Sequence, residues 1–143
     1  METMIASSEV HEMTIRVRYS ETDAMGVVHH AEYAKYFEMG RTELFRSRGG
    51  NYREFESRGL FFVVVSLECK YRLPAKYDDL LTIQTRQIRM TPAKLEHEYE
   101  ILRDSELIVT GKTVLACVNR DGQVQRLSDS LLFGNSRGDS DES

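Results

Sequence analysis

Residues 19–33 read Tyr-Ser-Glu-Thr-Asp-Ala-Met-Gly-Val-Val-His-His-Ala-Glu-Tyr and gather titratable and hydrogen-bonding groups at one junction. The junction lies between a strand pattern and the start of the longest helix pattern, with Asp23 a few residues upstream of that start. A helix start leaves backbone N–H groups unpaired and carries the positive end of the helix dipole. Such donors can hold a developing oxyanion, which is what acyl transfer requires. A carboxylate just upstream can act as a nucleophile or as a general base on water. Thioesters suit sparse machinery of this kind. A thiol of pKa about 8.5 leaves as thiolate with little acid assistance, so one carboxylate and one oxyanion hole suffice.

The strongest motifs for other chemistries are absent. The chain has no P-loop, no GxGxxG and no HExxH, and its one G-x-S-x-G string, Gly134-Asn135-Ser136-Arg137-Gly138, lies in the tail without an apolar residue and so lacks the strand before it that a nucleophile elbow needs. Adjacent His29 and His30 seldom converge on one ion, and no second pair closes a site, so the expectation is no metal.

The elements that must position these groups follow from periodicity. Residues 13–20 alternate, with Met13, Ile15, Val17 and Tyr19 on one side of a half-buried strand. Residues 21–26 are a polar turn. From Ala31 to about Arg48, Tyr33, Phe37, Gly40 and Leu44 recur at spacings of four, three and four, which predicts an amphipathic helix stopped by Gly49-Gly50. A short helix over residues 52–57 follows. Residues 60–65 are an unbroken apolar run and predict a strand covered on both faces, lining an acyl tunnel or the core. Strands are expected over 81–86, 95–101, 107–118 and 124–127, with turns at Thr91-Pro92-Ala93, Asp104-Ser105 and Asp121-Gly122. The economical packing is α+β, a curved antiparallel sheet wrapped around one long central helix.

A chain of 143 residues, 41% hydrophobic and 29% charged, has the size and composition of one soluble domain. Residues 1–133 are expected to form it, and 134–143 an acidic disordered tail without an apolar residue. The net charge of −4 argues against nucleic acid. No apolar run approaches the ~20 residues that span a bilayer. No basic and apolar leader opens the chain. Cys69 and Cys117 lack CxxC spacing and read as buried free thiols, so the cytoplasm is the expected location.

The block from Arg18 to Tyr33, with its D-x-x-G-V-V-x-H-x-x-Y core, and the following Tyr36-Phe37-Glu38-Met39-Gly40-Arg41-Thr42-Glu43-Leu44 resemble the 4-hydroxybenzoyl-CoA thioesterase family, and most closely its acyl-CoA thioesterase branch. Tyr71-Arg72-Leu73-Pro74-Ala75-Lys76-Tyr77-Asp78-Asp79 and Gly111-Lys112-Thr113 with Asn119-Arg120-Asp121-Gly122 extend the likeness over roughly residues 12–130. The resemblance implies a hotdog fold and a homodimer joined sheet edge to sheet edge, or a homotetramer of such dimers. It also implies interface active sites that hydrolyse acyl-CoA, with CoA as substrate and no bound cofactor; an acyl carrier protein is an alternative thioester donor. Asp23 takes the place of the family's catalytic aspartate, and His30 that of the residue whose N–H polarises the carbonyl. Gly26, Val27, Val28 and Tyr33 would line the pocket. Two positions depart from the pattern: His29 stands where an aromatic residue is common, and Glu32 where asparagine is. Both bear on substrate preference.

Each feature also has a plainer reading. Asp23 taken alone is a turn aspartate. Glu38 reads as solvated, and is kept as a second catalytic candidate because a helix glutamate carries catalysis in related hotdog enzymes. His97 reads as a satisfied core or interface histidine. Gly40 costs about 1 kcal/mol relative to alanine and signals close helix–sheet packing. Arg89 and Lys94 flank the Thr91-Pro92 turn and are candidate contacts for CoA phosphates, or simply soluble surface. Two rival functions are a hotdog hydroxyacyl-thioester dehydratase, which needs a histidine paired with an acid across subunits, and a non-catalytic acyl-thioester-binding module.

Overall fold

Alternating sequences with polar turns between them can bury one face only by joining a sheet, and the chain does so. A computed structural model describes residues 9–134; the expected acidic tail, Gly134 apart, lies outside the described residues. The strands are β1 (His11–Arg16), β2 (Phe61–Tyr71), β3 (Leu80–Met90), β4 (Leu95–Arg103), β5 (Glu106–Val118) and β6 (Val124–Gln125). They form one curved antiparallel sheet in the order β1-β3-β4-β5-β2, with β6 paired to the end of β5. The helices are α1 (Glu32–Ser47), α2 (Tyr52–Ser57) and α3 (Asp129–Phe133).

Helix α1 buries Tyr33, Tyr36, Phe37, Gly40 and Leu44, the stripe read from the sequence, against the face carrying Leu81, Ile83, Tyr99 and Ile101. Each large apolar side chain buried in this way contributes about 1.5–3 kcal/mol. The approach is close at two glycines. A Cβ on Gly40 would collide with Thr85 Oγ1, and one on Gly111 of β5 would collide with the Phe37 ring. Phe37 stacks on Tyr99 at 4.4 Å between ring centroids, and the Tyr99 hydroxyl lies 2.6 Å from Thr113 Oγ1. A second cluster, with Phe55, Leu60, Met90, Leu95, Leu115 and Leu132, fills the end of the sheet under α2 and α3.

Three expectations are corrected. Strand β2 lies at the edge of the sheet, so its apolar run is not covered on both faces: Val63, Val64, Val65 and Leu67 are 40%, 50%, 54% and 49% exposed. The first strand ends at Arg16, where the chain turns into a short 3-10 segment (Tyr19–Glu21) and leaves Tyr19 77% exposed instead of facing the core. His97 is buried, but among the described residues its Nδ1 has no hydrogen-bond partner, so it is not a histidine satisfied within the core of one chain. Both cysteines are free, Cys117 buried and Cys69 partly so. No helix among the described residues is long and apolar enough to cross a membrane.

Candidate active site

The segment joining β1 to α1 is a tight excursion pinned at both ends. Thr22 pairs with Val28 and Val27 with Lys76 as isolated antiparallel bridges, and Val28 N–H donates to the Ala75 carbonyl at 2.8 Å. Between them Asp23 N–H donates to Val27 O and Gly26 N–H to Asp23 O, each at 2.9 Å. Gly26 takes a φ of +81°, which costs glycine nothing and other residues strain.

The Asp23 side chain organises its own turn. Its Oδ1 accepts from Met25 N–H at 2.8 Å and Val27 N–H at 3.4 Å. Both Asp23 and the adjoining Met25 are exposed. Among the described residues Oδ2 has no hydrogen-bond partner, so one oxygen fixes the carboxylate and the other is presented outward. The turn-aspartate role and a chemical role are therefore compatible in one side chain.

Helix α1 begins a few residues on. His29 N–H donates to Glu21 O, Glu32 N–H to His29 O, and Ala31 N–H to His29 Nδ1 at 3.1 Å. Among the described residues the His30 N–H has no acceptor, so a backbone donor stands open at the helix start. The His29 and His30 rings stack at 4.2 Å. Glu32 reaches Lys35 Nζ at 3.4 Å along the helix surface. Tyr33 packs edge-on against Tyr36 and Tyr71, and the Tyr71 hydroxyl donates weakly to His30 O at 3.4 Å. Burial pushes the Tyr33 phenol up to about 12, so at neutral pH it lines the site as a neutral group.

Two ionic anchors hold this geometry, and neither was singled out from sequence. Glu21, only 7% exposed, accepts from Arg18 N–H at 2.8 Å, Arg18 Nε at 2.9 Å and the Tyr36 hydroxyl at 2.8 Å. The i,i+3 spacing of Arg18 and Glu21 was the available signal. Burial raises the Glu21 carboxyl, but these hydrogen bonds and the Arg18 charge outweigh it and hold the group below its ordinary value. Asp79 accepts from Lys76 N–H at 2.8 Å and Arg103 Nη1 at 2.9 Å, while Arg103 Nη1 also donates to Pro74 O. That pair shapes the loop whose Ala75 and Lys76 grip Val28 and Val27.

Asp23, Gly26, Val27, Val28 and His30 lie on the one segment that joins β1 to α1, with Tyr33 in the first turn of α1, while three other candidates lie apart from it. Glu38 is exposed further along α1, where its charge is felt by Tyr52. Arg89, 3.8 Å from Glu96, and the exposed Lys94 flank the β3–β4 turn. The Asp23 loop borders the opposite end of β3, about 30 Å away at ~3.3 Å per residue. Among the described residues no group of three or more His, Cys, Asp or Glu could hold a metal ion.

Sheet and helix define a hotdog domain, with the Asp23 loop leading into the start of α1. Residues 17–132 match the Thioesterase-like superfamily, and the chain belongs to that family. It is 36% identical over 106 residues to the acyl-CoA thioesterase YbgC of Haemophilus influenzae, covering 73% of this chain and 78% of the relative. Among solved structures, a probable thioesterase from Bartonella henselae is similar at TM-score 0.80 and 39% identity, covering 84% of this chain and all of that one (100%). The DHNA-CoA thioesterase of Staphylococcus aureus matches at TM-score 0.80 and 31% identity, covering 82% and 80%.

Proposed function

We propose that this protein hydrolyses acyl-CoA to the free acid and CoA, with Asp23 as nucleophile or general base and the His30 N–H as oxyanion donor. The observation that carries the reading is that one short segment holds both a carboxylate fixed through Oδ1 alone and, at the start of α1, an N–H without an acceptor among the described residues. The names borne by the YbgC relative and the Staphylococcus aureus enzyme support the substrate class. In a general-base step Oδ2 takes a proton from water as the oxygen attacks the thioester carbon, and the C–S bond then breaks to release thiolate. In the nucleophilic alternative Oδ2 attacks that carbon itself, the C–S bond breaks to release thiolate, and water hydrolyses the resulting anhydride to the free acid and the regenerated Asp23 carboxylate. Gly26, Val27, Val28 and Tyr33 would border the acyl group.

Self-association completes the proposal. An edge strand whose Val63, Val64, Val65 and Leu67 are exposed is a template for pairing with another copy. Pairing there would cover the run. It would also set a second protomer beside Tyr71, which neighbours His30 and Tyr33.

The test is thiol release from a panel of short, medium-chain and aromatic acyl-CoA esters and an acyl carrier protein thioester, by wild type and Asp23→Asn. The expected outcome is turnover that falls at least ~100-fold in the variant. Turnover that survives the substitution moves the role to Glu38. Water loss from a hydroxyacyl thioester without thiol release identifies a dehydratase, and tight binding without turnover a binding module.

A further inference from the structure

A second cavity, of about 740 Å³, lies between the C-terminal half of α1, the β3–β4 end of the sheet and α3. It is remote from Asp23. Arg41 and Arg48 follow Glu32 by nine and sixteen positions, about 14 and 24 Å along the helix at ~1.5 Å per residue.

Its walls divide by chemistry. Phe45, Tyr52, Phe62 and Phe133 supply a largely aromatic side, while Arg41, Arg48, Gln87 and His97 supply polar groups. Arg41 donates to the Tyr99 hydroxyl at a long 3.4 Å. Arg48 donates through Nη1 to Gln87 Oε1 at 3.0 Å, its Nε lies 3.8 Å from Glu9 Oε1, and its buried Nη2 has no partner among the described residues. His97 is 4% exposed, and its Nδ1 is likewise without a partner. Burial and the two guanidinium groups hold this imidazole neutral. Among the described lining residues Arg41 and Arg48 are the cations and Asp129 the acid, with the Glu9 carboxylate also 3.8 Å from Arg48 Nε.

Unpaired buried polar groups cost about 1–3 kcal/mol each, so a cavity that retains them beside aromatic walls has the makings of a ligand site. A dianion or polyanion would meet Asp129. A single carboxylate adds the least negative charge beside that acid, and it fits the planar fork of arginine. We propose that this cavity binds a free monocarboxylic acid with an aromatic or aliphatic body, the carboxylate on Arg41 and Arg48 and the body against Phe45, Tyr52 and Phe62. The site stands independently of the role of Asp23.

Calorimetric titration with 1-naphthoate and octanoate tests the assignment, with 1-naphthalenemethanol and inorganic phosphate as controls. The expected result is saturable binding of a carboxylate, weakened at least ~10-fold in Arg48→Gln and in Arg41→Gln. The alcohol and phosphate should bind at least ~10-fold more weakly than the carboxylate, and Asp23→Asn should leave carboxylate binding unchanged. Arg41→Gln carries the test if Arg48→Gln does not fold, as judged by thermal melting. No carboxylate binding at millimolar concentration overturns the proposal. So does equal binding of the alcohol, preferred binding of phosphate, binding unaffected by loss of the arginines, or binding abolished by Asp23→Asn.

Discussion

The Tyr36 hydroxyl donates to Oε1 of Glu21 at 2.8 Å inside the protein, joining α1 to the turn that leads into Asp23. Glu21 O also receives His29 N–H, so one residue ties the carboxylate loop and the helix start to the same point. Removing the hydroxyl leaves a buried carboxylate short of a donor, which typically costs about 1–3 kcal/mol. Tyr36→Phe is expected to lower stability by that amount in urea denaturation and to move the Glu21 titration upward. Because the folded carboxyl sits below its ordinary 4.5, the native state there binds fewer protons than the unfolded chain. The stability it supplies is present above that pH and lost below it. Tyr36→Phe should shrink this acid-side loss; an unchanged acid profile would show that the pair is not coupled.

His97 acts in a neighbouring window. Burial first, then Arg41 and Arg48, press its pKa from 6.5 down to about 3. Between those values the unfolded chain binds the proton and the native state does not, so stability rises with pH and levels off above about 6.5. His97→Leu removes the titrating group. Denaturation midpoints measured from pH 4.5 to 7 should therefore be flatter in the variant than in wild type. Equal slopes would show that His97 is protonated in the folded protein.

Gly40 is the second close point between α1 and the sheet. Alanine gains about 1 kcal/mol of helix propensity there. Its Cβ, however, would collide with Thr85 Oγ1 and press to 3.0 Å from Ile83 Cγ2, and overpacking costs ~1–3 kcal/mol. Neither partner is the free end of a long side chain, so the collision should win. Gly40→Ala is expected to lower the melting temperature, and a raised one would mean that the helix can slide on the sheet.

Much of this was legible in the sequence, for identifiable reasons. The α1 stripe and the alternation of β3 and β4 each reflect burial on one face, which leaves a period. Asp23, Gly26 and Val28 form a contiguous loop, so their proximity is written in the chain order. Glu21 was not legible, because its partner Tyr36 lies fifteen positions away and only the fold aligns them. Tyr19 continued the alternation of β1, but the strand gives way to a 3-10 turn. Helix α3 is five residues long, too short for a period, and its start rests on a Ser128 cap. The separation of Arg89 and Lys94 from Asp23 is a matter of strand direction, which local spacing does not record.

Strand β2 shows the same limit, and it yields the prediction with the widest reach. Its apolar run reads as interior, yet its edge position leaves Val65 half exposed with Val64 and Leu67. Apolar residues on an unprotected edge are an aggregation liability unless a partner covers them, and natural edges are often guarded by lysine. Val65→Lys adds such a charge at a site where the protomer itself buries little, so the folding of one chain should be nearly unaffected. If two copies pair along β2, the lysine must be desolvated at the seam. Sedimentation should then show wild-type dimers or larger assemblies and a marked shift to monomer in the variant. Thiol release should fall with the shift, if the second copy completes the site. An unshifted assembly would place the interface elsewhere. A monomeric wild type would leave the exposed run to some other partner and confine the active site to one chain.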